Sequence, residues 1–213
     1  MSRLSRLALE VKGLIAAWEN GGSAAAVEAI RKCPCGRRFR HRHGSYRRDL
    51  FVGGEILKLT IPRLYCPACR TTAAVLPAFV SRRSPYPTCF RQAAIWEYLT
   101  GRSGYRTVAA GLNVAWELLW AWTDHLARRA KEALGLVEAL LLRYEPSCAP
   151  AKAGDLRVHA RSEEKQERLR AAVALFGQAL VLWDAGYRRG RPWGRPSQLH
   201  LLSFVEGCVA ALS

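Results

Sequence analysis

Two short cysteine pairs constrain the fold of this chain more than any other feature. One residue separates Cys33 from Cys35, two residues separate Cys66 from Cys69, and residues 36–65 lie between the pairs. Two tight loops that each present two thiolates can supply the four soft ligands of a tetrahedral Zn²⁺ site. The pattern therefore predicts a zinc ribbon in which these four cysteines hold the metal.

The segment between the cysteine pairs has the pattern of a β-hairpin. Residues 46–52 and 55–61 are β-prone, and Gly53-Gly54 between them can adopt the positive φ angles of a two-residue turn. A hairpin brings its two ends together, which lets two distant pairs share one ion. Because the first pair is one residue shorter than a usual knuckle, His41 or His43 stays open as a replacement ligand.

Three further cysteines, Cys89, Cys148 and Cys208, have no partner at ligand spacing. We expect them to be small buried hydrophobic side chains. The total of seven cysteines is odd, and no uninterrupted apolar core of a signal peptide follows Arg3 and Arg6. No apolar run reaches the roughly 20 residues needed to span a bilayer. These features predict a cytoplasmic, nucleoid-associated protein without a membrane partner.

The positive charge of the chain is concentrated around the cysteine pairs. The net charge is +16, and residues 31–107 contain 16 basic and 3 acidic side chains, so this stretch carries +13 of the total. Most of these basic residues are arginines, whose guanidinium groups can bind phosphate oxygens through two N–H groups at once. A concentrated positive charge also attracts polyanions. Double-stranded DNA is the predicted partner; RNA, anionic lipid or a solvated face without a specific ligand are the alternatives. The predicted phosphate contacts are Arg37, Arg38, Arg40, Arg42, Arg47, Arg48, Arg102 and Arg106.

The pattern divides the chain into four segments and predicts a mainly α protein with a small β zinc ribbon. An N-terminal helical segment (1–30) precedes the ribbon (31–80), a helix-turn-helix (88–130) follows it, and a helical region (131–213) completes the chain.

A short helix over residues 105–110, a turn at residues 111–113 and a longer helix from about Ala115 form the predicted helix-turn-helix. The second helix of such a motif enters the DNA major groove through its first residues. Here those positions include Trp116 and Trp120 but no arginine, asparagine or glutamine that could read a base edge. The two tryptophans are therefore predicted to contact either DNA or a protein partner.

Several runs of this chain, at residues 61–72, 76–79, 101–109 and 119–122, together resemble a bacterial family in which a zinc ribbon precedes a helix-turn-helix. That family is similar to the N-terminal DNA-binding regions of insertion-sequence transposases. The resemblance implies that the four paired cysteines are metal ligands and that residues 105–122 are the DNA-binding unit. Two departures are the short first knuckle and Ala121, which stands where the family usually has a basic residue.

The last third of the chain shows no catalytic pattern. A ribonuclease-H-type transposase needs three carboxylates around two Mg²⁺ ions, whereas Asp155 and Asp184 are the only aspartates after residue 126. We therefore expect no enzymatic activity. A run ending in Arg-Gly-Arg-Pro resembles an AT-hook, in which Arg189 and Arg191 would lie in the minor groove; a plain solvated loop is the alternative.

Two functions are compatible with this sequence. The first is a zinc-stabilised DNA-binding protein, either associated with a transposase in a mobile element or acting in transcriptional regulation. The second is an interaction module whose tryptophan-rich helices bind a transposase or a second copy of the chain, with only non-specific binding of DNA or RNA.

Overall fold

The structure, a computed structural model, describes residues 3–30, 33–37, 41–144, 156–157 and 159–188. It is mainly helical and contains one three-stranded antiparallel sheet, so the predicted fold class is confirmed at this level. The chain divides into two compact units, Met1–Pro87 and Thr88–Ser213. Residues 189–213 of the predicted helical C-terminal region lie outside the described residues.

The first unit begins with two helices separated by a kink. Helix α1 spans Arg3–Ala17, a π-helical turn covers Trp18–Gly22, and α2 spans Ser23–Ala29. The kink occurs where the Gly-Gly pair interrupts the helical pattern, and Gly21 adopts a φ of 121° that side-chain-bearing residues rarely take. The N-terminal helical segment therefore changes direction at Gly21-Gly22.

Helix α1 packs on the sheet through its apolar stripe, and Leu7, Val11 and Ile15 are buried. Trp18 is buried as well, and its indole Nε1 donates to the Thr60 carbonyl at 2.9 Å. This bond satisfies the one polar atom of a large apolar side chain.

The sheet is built from β1 (His41–Val52), β2 (Glu55–Cys66) and β3 (Thr71–Ala74), in the order β1-β2-β3. Gly53 and Gly54 form the predicted turn with φ angles of 58° and 89°. Strand β1 begins earlier than predicted because a bulge between Arg42 and Ser45 lets pairing continue past Gly44. The third strand was not predicted.

The described residues of the second unit form four helices: α3 (Thr88–Thr100), α4 (Tyr105–Gly111), α5 (Trp116–Tyr144) and α6 (Glu163–Arg188). Helices α3, α4 and α5 pack on one another, and α6 packs along α5. The turn between α4 and α5 contains Asn113 with a φ of 52°, a conformation that asparagine tolerates. A short helix, a turn and a longer helix are thus present where the sequence predicted them.

The core of the second unit lies between these helices. Phe90, Leu99 and Leu119 are fully buried, and Trp96 packs edge-on against Phe176 with ring centroids 5.7 Å apart. The facing stretches of α5 and α6 have small buried residues, which allow two helices to approach closely. These residues are Ala130, Ala133, Ala172 and Ala179.

Candidate metal centre and basic surface

The four paired cysteines converge at the end of the sheet opposite the hairpin turn. Their sulfur atoms all lie within 4.8 Å of one another, with Cys33 Sγ 3.5 Å from Cys69 Sγ and Cys35 Sγ 3.6 Å from Cys66 Sγ. A tetrahedral ion with metal–sulfur bonds of about 2.3 Å requires sulfur–sulfur separations of about 3.8 Å. The cluster therefore has the dimensions of a four-thiolate metal site, and its sulfurs are too far apart to be disulfide-bonded.

The first pair forms a tight loop despite its short spacing. The Cys33 amide donates to the Arg37 carbonyl at 2.8 Å, and the Gly36 amide donates to the Cys33 carbonyl at 2.9 Å. Gly36 has a φ of 82°, so a glycine is needed directly after Cys35. These two bonds turn the backbone within five residues, which compensates for the residue missing between the cysteines.

The second pair joins β2 to β3. Cys66 is the last residue of β2, Cys69 lies in the following turn, and Arg70 takes a φ of 55° before β3 begins at Thr71. The two strands pair antiparallel, with Cys66 opposite Thr71. Strand β3 therefore closes the loop that carries Cys69 and holds it beside the first pair.

Hydrogen bonding around the cluster separates the thiols in acidity. The Thr71 hydroxyl and backbone amide lower the pKa of Cys69 to about 6, and the distance from Cys69 Sγ to Thr71 Oγ1 is 2.9 Å. At Cys33, a backbone hydrogen bond involving Cys35 favours the thiolate, but burial and the neighbouring thiols outweigh it and raise its pKa to about 12. Four thiolates this close repel one another unless a cation neutralises them, which is the charge balance that a divalent metal supplies.

No histidine joins this cluster among the described side chains. The ring of His43 lies against Tyr65 with centroids 5.4 Å apart, and the side chain of His41 lies outside the description. Cys89 is buried in α3. Cys148 and Cys208 lie outside the described residues. The four paired cysteines are therefore the residues that could hold a metal.

Most of the predicted phosphate contacts that the structure describes are exposed. They are Arg37, Arg42 and Arg47 in the first unit, and Arg102 and Arg106 in the second. Residues 38, 40, 189 and 191, also predicted to bind nucleic acid, lie outside the described residues. Lys58 is on the same strand pair but forms an ion pair with Asp49 at 2.9 Å, so much of its charge is compensated locally.

Arg48 differs from its neighbours because its guanidinium is used inside the protein. Its Nη2 donates to the carbonyls of Ser81 and Ser84, each at 2.7 Å, and lies 3.3 Å from the Arg82 carbonyl. The side chain is half-buried. Sequence patterns cannot distinguish this arginine from the exposed ones, because its partners are backbone carbonyls more than 30 residues away.

Trp116 and Trp120 lie one helical turn apart at the start of α5, and each is 41% exposed. The Arg106 guanidinium carbon lies 5.8 Å from the ring centre of Trp116, a cation–π geometry that joins α4 to α5 at the surface. The two rings therefore form an exposed aromatic face within this unit. Among the residues that the structure describes, no helix is both long and apolar enough to cross a membrane.

Sequence reasoning missed two groups that support the cluster. Thr71 is the first, because a hydroxyl two residues after a paired cysteine is well placed to bond its sulfur. Gly36 is the second, because its positive φ allows the tight loop that follows Cys35. Comparisons of the chain with protein-family models, with curated proteins and with solved structures found no match.

Proposed function

We propose that this chain is a zinc-stabilised, non-enzymatic DNA-binding protein, with its four cysteines organising a zinc ribbon. The observation that carries the proposal is the convergence of four thiols beside a sheet whose exposed side chains include Arg42 and Arg47. Zinc fits because it prefers four sulfur ligands in tetrahedral geometry. The resemblance to transposase-associated proteins supports a role in a mobile element or in transcriptional regulation.

Zinc in this proposal has a structural role. Bound to the four sulfurs, it would fix the loop of Cys33 and Cys35 against the turn of Cys66 and Cys69, and so fix the first residues of β1 against the end of β2. Arg42 lies near that end of β1, opposite Leu64. A rigid strand holds its arginines at constant separation, which lowers the entropy lost when they bind phosphates.

In the second unit, the proposal assigns α4 and the first turns of α5 to a helix-turn-helix. Arg102 and Arg106 are exposed and available for phosphate oxygens. The first turns of α5 contain no side chain suited to bidentate base contacts. We therefore propose that the affinity for DNA comes mainly from contacts to its phosphate backbone and that discrimination between bases is weak.

Duplex DNA binding at several salt concentrations tests this proposal. The double variant Arg42→Gln/Arg47→Gln is expected to bind a random-sequence duplex more weakly, and the slope of log K against log salt should fall by about 1.8, because two phosphate contacts are lost. The matched control is Arg168→Gln, which removes an arginine that forms an ion pair with Glu164 on α6. An unchanged slope in the double variant would argue against the proposal.

The second candidate function is protein interaction through Trp116 and Trp120, favoured by the exposure of both rings. Tryptophan is enriched at the centres of protein interfaces, and two rings at this exposure leave apolar area uncovered. Replacing both by alanine is expected to abolish partner binding or self-association while leaving duplex affinity unchanged. If the same variant loses duplex binding instead, these rings belong to the surface that binds DNA.

Competition between duplex DNA and structured RNA at fixed salt separates the two nucleic-acid partners.

A further inference from the structure

Residues 81–84 form a turn that is attached to β1 by Arg48, whose guanidinium lies between the two ends of the turn. Ser81 and Ser84 are the two ends of the turn, and both of their carbonyls accept from Arg48 Nη2 at 2.7 Å. One guanidinium group therefore closes both ends at once. Both bonds come from the same nitrogen, Nη2, whose two N–H groups can serve one carbonyl each.

The residues that follow this turn are also attached to β1. The Phe51 amide donates to the Pro85 carbonyl at 2.9 Å, and the rings of Phe51 and Tyr86 lie 5.9 Å apart. The Ser84 hydroxyl donates to the Tyr86 carbonyl and accepts from the Tyr86 amide. These contacts make the loop an ordered extension of the sheet edge.

The two central residues of the turn are Arg82 and Arg83, and both are exposed. Residues at the centre of a turn project away from its open side, and here Arg48 occupies the open side, between the carbonyls of Ser81 and Ser84. The described part of the chain pairs neither Arg82 nor Arg83 with a carboxylate. An ordered backbone thus presents two adjacent, uncompensated guanidinium groups to solvent.

We propose that residues 81–84 are a phosphate-binding loop in which Arg82 and Arg83 contact the backbone of duplex DNA, and that Arg48 is a positioning residue for it. The inference rests on the proposed DNA binding and deepens it, because it adds a contact that the cysteine motif does not supply. Arg48 binds no phosphate itself; its charge is directed at backbone carbonyls. Its cost in desolvation is offset by three carbonyl acceptors.

The test measures duplex affinity against salt for the full chain with zinc, using a random-sequence duplex. Arg82→Gln/Arg83→Gln removes two exposed charges and is not expected to disturb folding. The slope of log K against log salt should fall by about 1.8. If counterion release alone is lost, this corresponds to about 30-fold weaker duplex binding at about 0.15 M salt. Arg168→Gln is the charge control.

Arg48→Met distinguishes positioning from direct contact. Removal of the guanidinium should loosen the turn, so hydrogen exchange of the Phe51 and Tyr86 amides should accelerate. The slope of log K against log salt should change by less than the value of about 0.9 that one phosphate contact contributes. A slope that falls by about 0.9 with unchanged amide exchange would show that Arg48 contacts phosphate directly, which would overturn its positioning role.

The outcomes separate this inference from the function it rests on. If Arg42→Gln/Arg47→Gln lowers the slope and Arg82→Gln/Arg83→Gln does not, the phosphate-binding loop is wrong while DNA binding stands. If the wild-type protein binds no duplex at any salt concentration, both fail. If both double variants lower the slope and Arg168→Gln does not, both are supported.

Discussion

The two units of this chain are stabilised by different means. The first has two helices beside a three-stranded sheet, and four thiols rather than apolar side chains occupy the end of that sheet. The second has long helices with continuous apolar faces, and its largest buried residues include Phe90, Leu119 and Leu175. Small domains bury less apolar surface per residue, and many add a metal or a disulfide to their core. If the proposed zinc ion is bound, the first unit should depend on the metal for its stability, whereas the second should depend on apolar packing alone.

Metal removal is expected to have the largest effect and to affect only one unit. A strong chelator should accelerate amide exchange across residues 33–74 while residues 88–144 keep their protection, because ligand binding and folding are coupled in small metal sites. Hydrogen exchange with peptide-level resolution measures both regions in one sample. Equal loss of protection in the two units would contradict the comparison.

Packing in the second unit should be the next most sensitive feature. Leu119→Ala removes a fully buried side chain from α5 and is expected to lower the free energy of unfolding by about 2–5 kcal/mol. Leu142→Ala, on the same helix at 72% exposure, is the matched control and should change it by less than about 0.5 kcal/mol. Urea denaturation followed by circular dichroism gives both values. Similar losses for the two variants would show that α5 is not packed as described.

The hairpin turn of the first unit should tolerate substitution poorly. Gly53 has a φ of 58°, and an added Cβ would lie 3.0 Å from Leu4 Cδ2. Gly53→Ala should therefore cost about 1–2 kcal/mol of stability. Gly13→Ala in α1 is the opposite case, because nothing lies within 4 Å of its added Cβ, and it should stabilise the helix by about 0.5–1 kcal/mol. Thermal melts of the zinc-loaded protein measure both effects. A higher melting temperature for Gly53→Ala than for Gly13→Ala would contradict this prediction.

The smallest effect is expected from an exposed ion pair between α5 and α6. Lys131 lies 2.9 Å from Glu167 and lowers the pKa of that carboxyl. A depressed carboxyl pKa adds stability above the unfolded value of 4.5, and this contribution disappears as the pH falls through the folded pKa. Lys131→Met should thus lower the melting temperature slightly at pH 7, and the difference from wild type should vanish near pH 3. A difference that persists at low pH would have another origin.

Periodic apolar patterns predicted most of this fold. The short helix α4, the start of α5 and the Gly-Gly hairpin depend on local spacing, and they are present where that spacing indicated. The convergence of the four paired cysteines was predicted for the same reason, because each pair is local and the hairpin joins them.

Features that depend on distant partners were not predictable. Strand β3 is a Thr-Thr-Ala-Ala run without alternation, and it exists because Arg63 to Cys66 offer it a free edge. The early start of β1 depends on a bulge that shifts the alternation of side chains. Arg48 was expected to bind phosphate like its neighbours, and only its distance to two carbonyls reveals its internal role.

The metal content of purified protein tests the central claim most directly. Wild type and Cys89→Ala, which loses a cysteine outside the cluster, should each bind one zinc ion per chain, and Cys66→Ser should lose most of it. Elemental analysis after extensive dialysis, with helical content measured on the same samples, gives the comparison. Well-folded wild type without bound zinc, or equal zinc loss in Cys89→Ala and Cys66→Ser, would contradict the account.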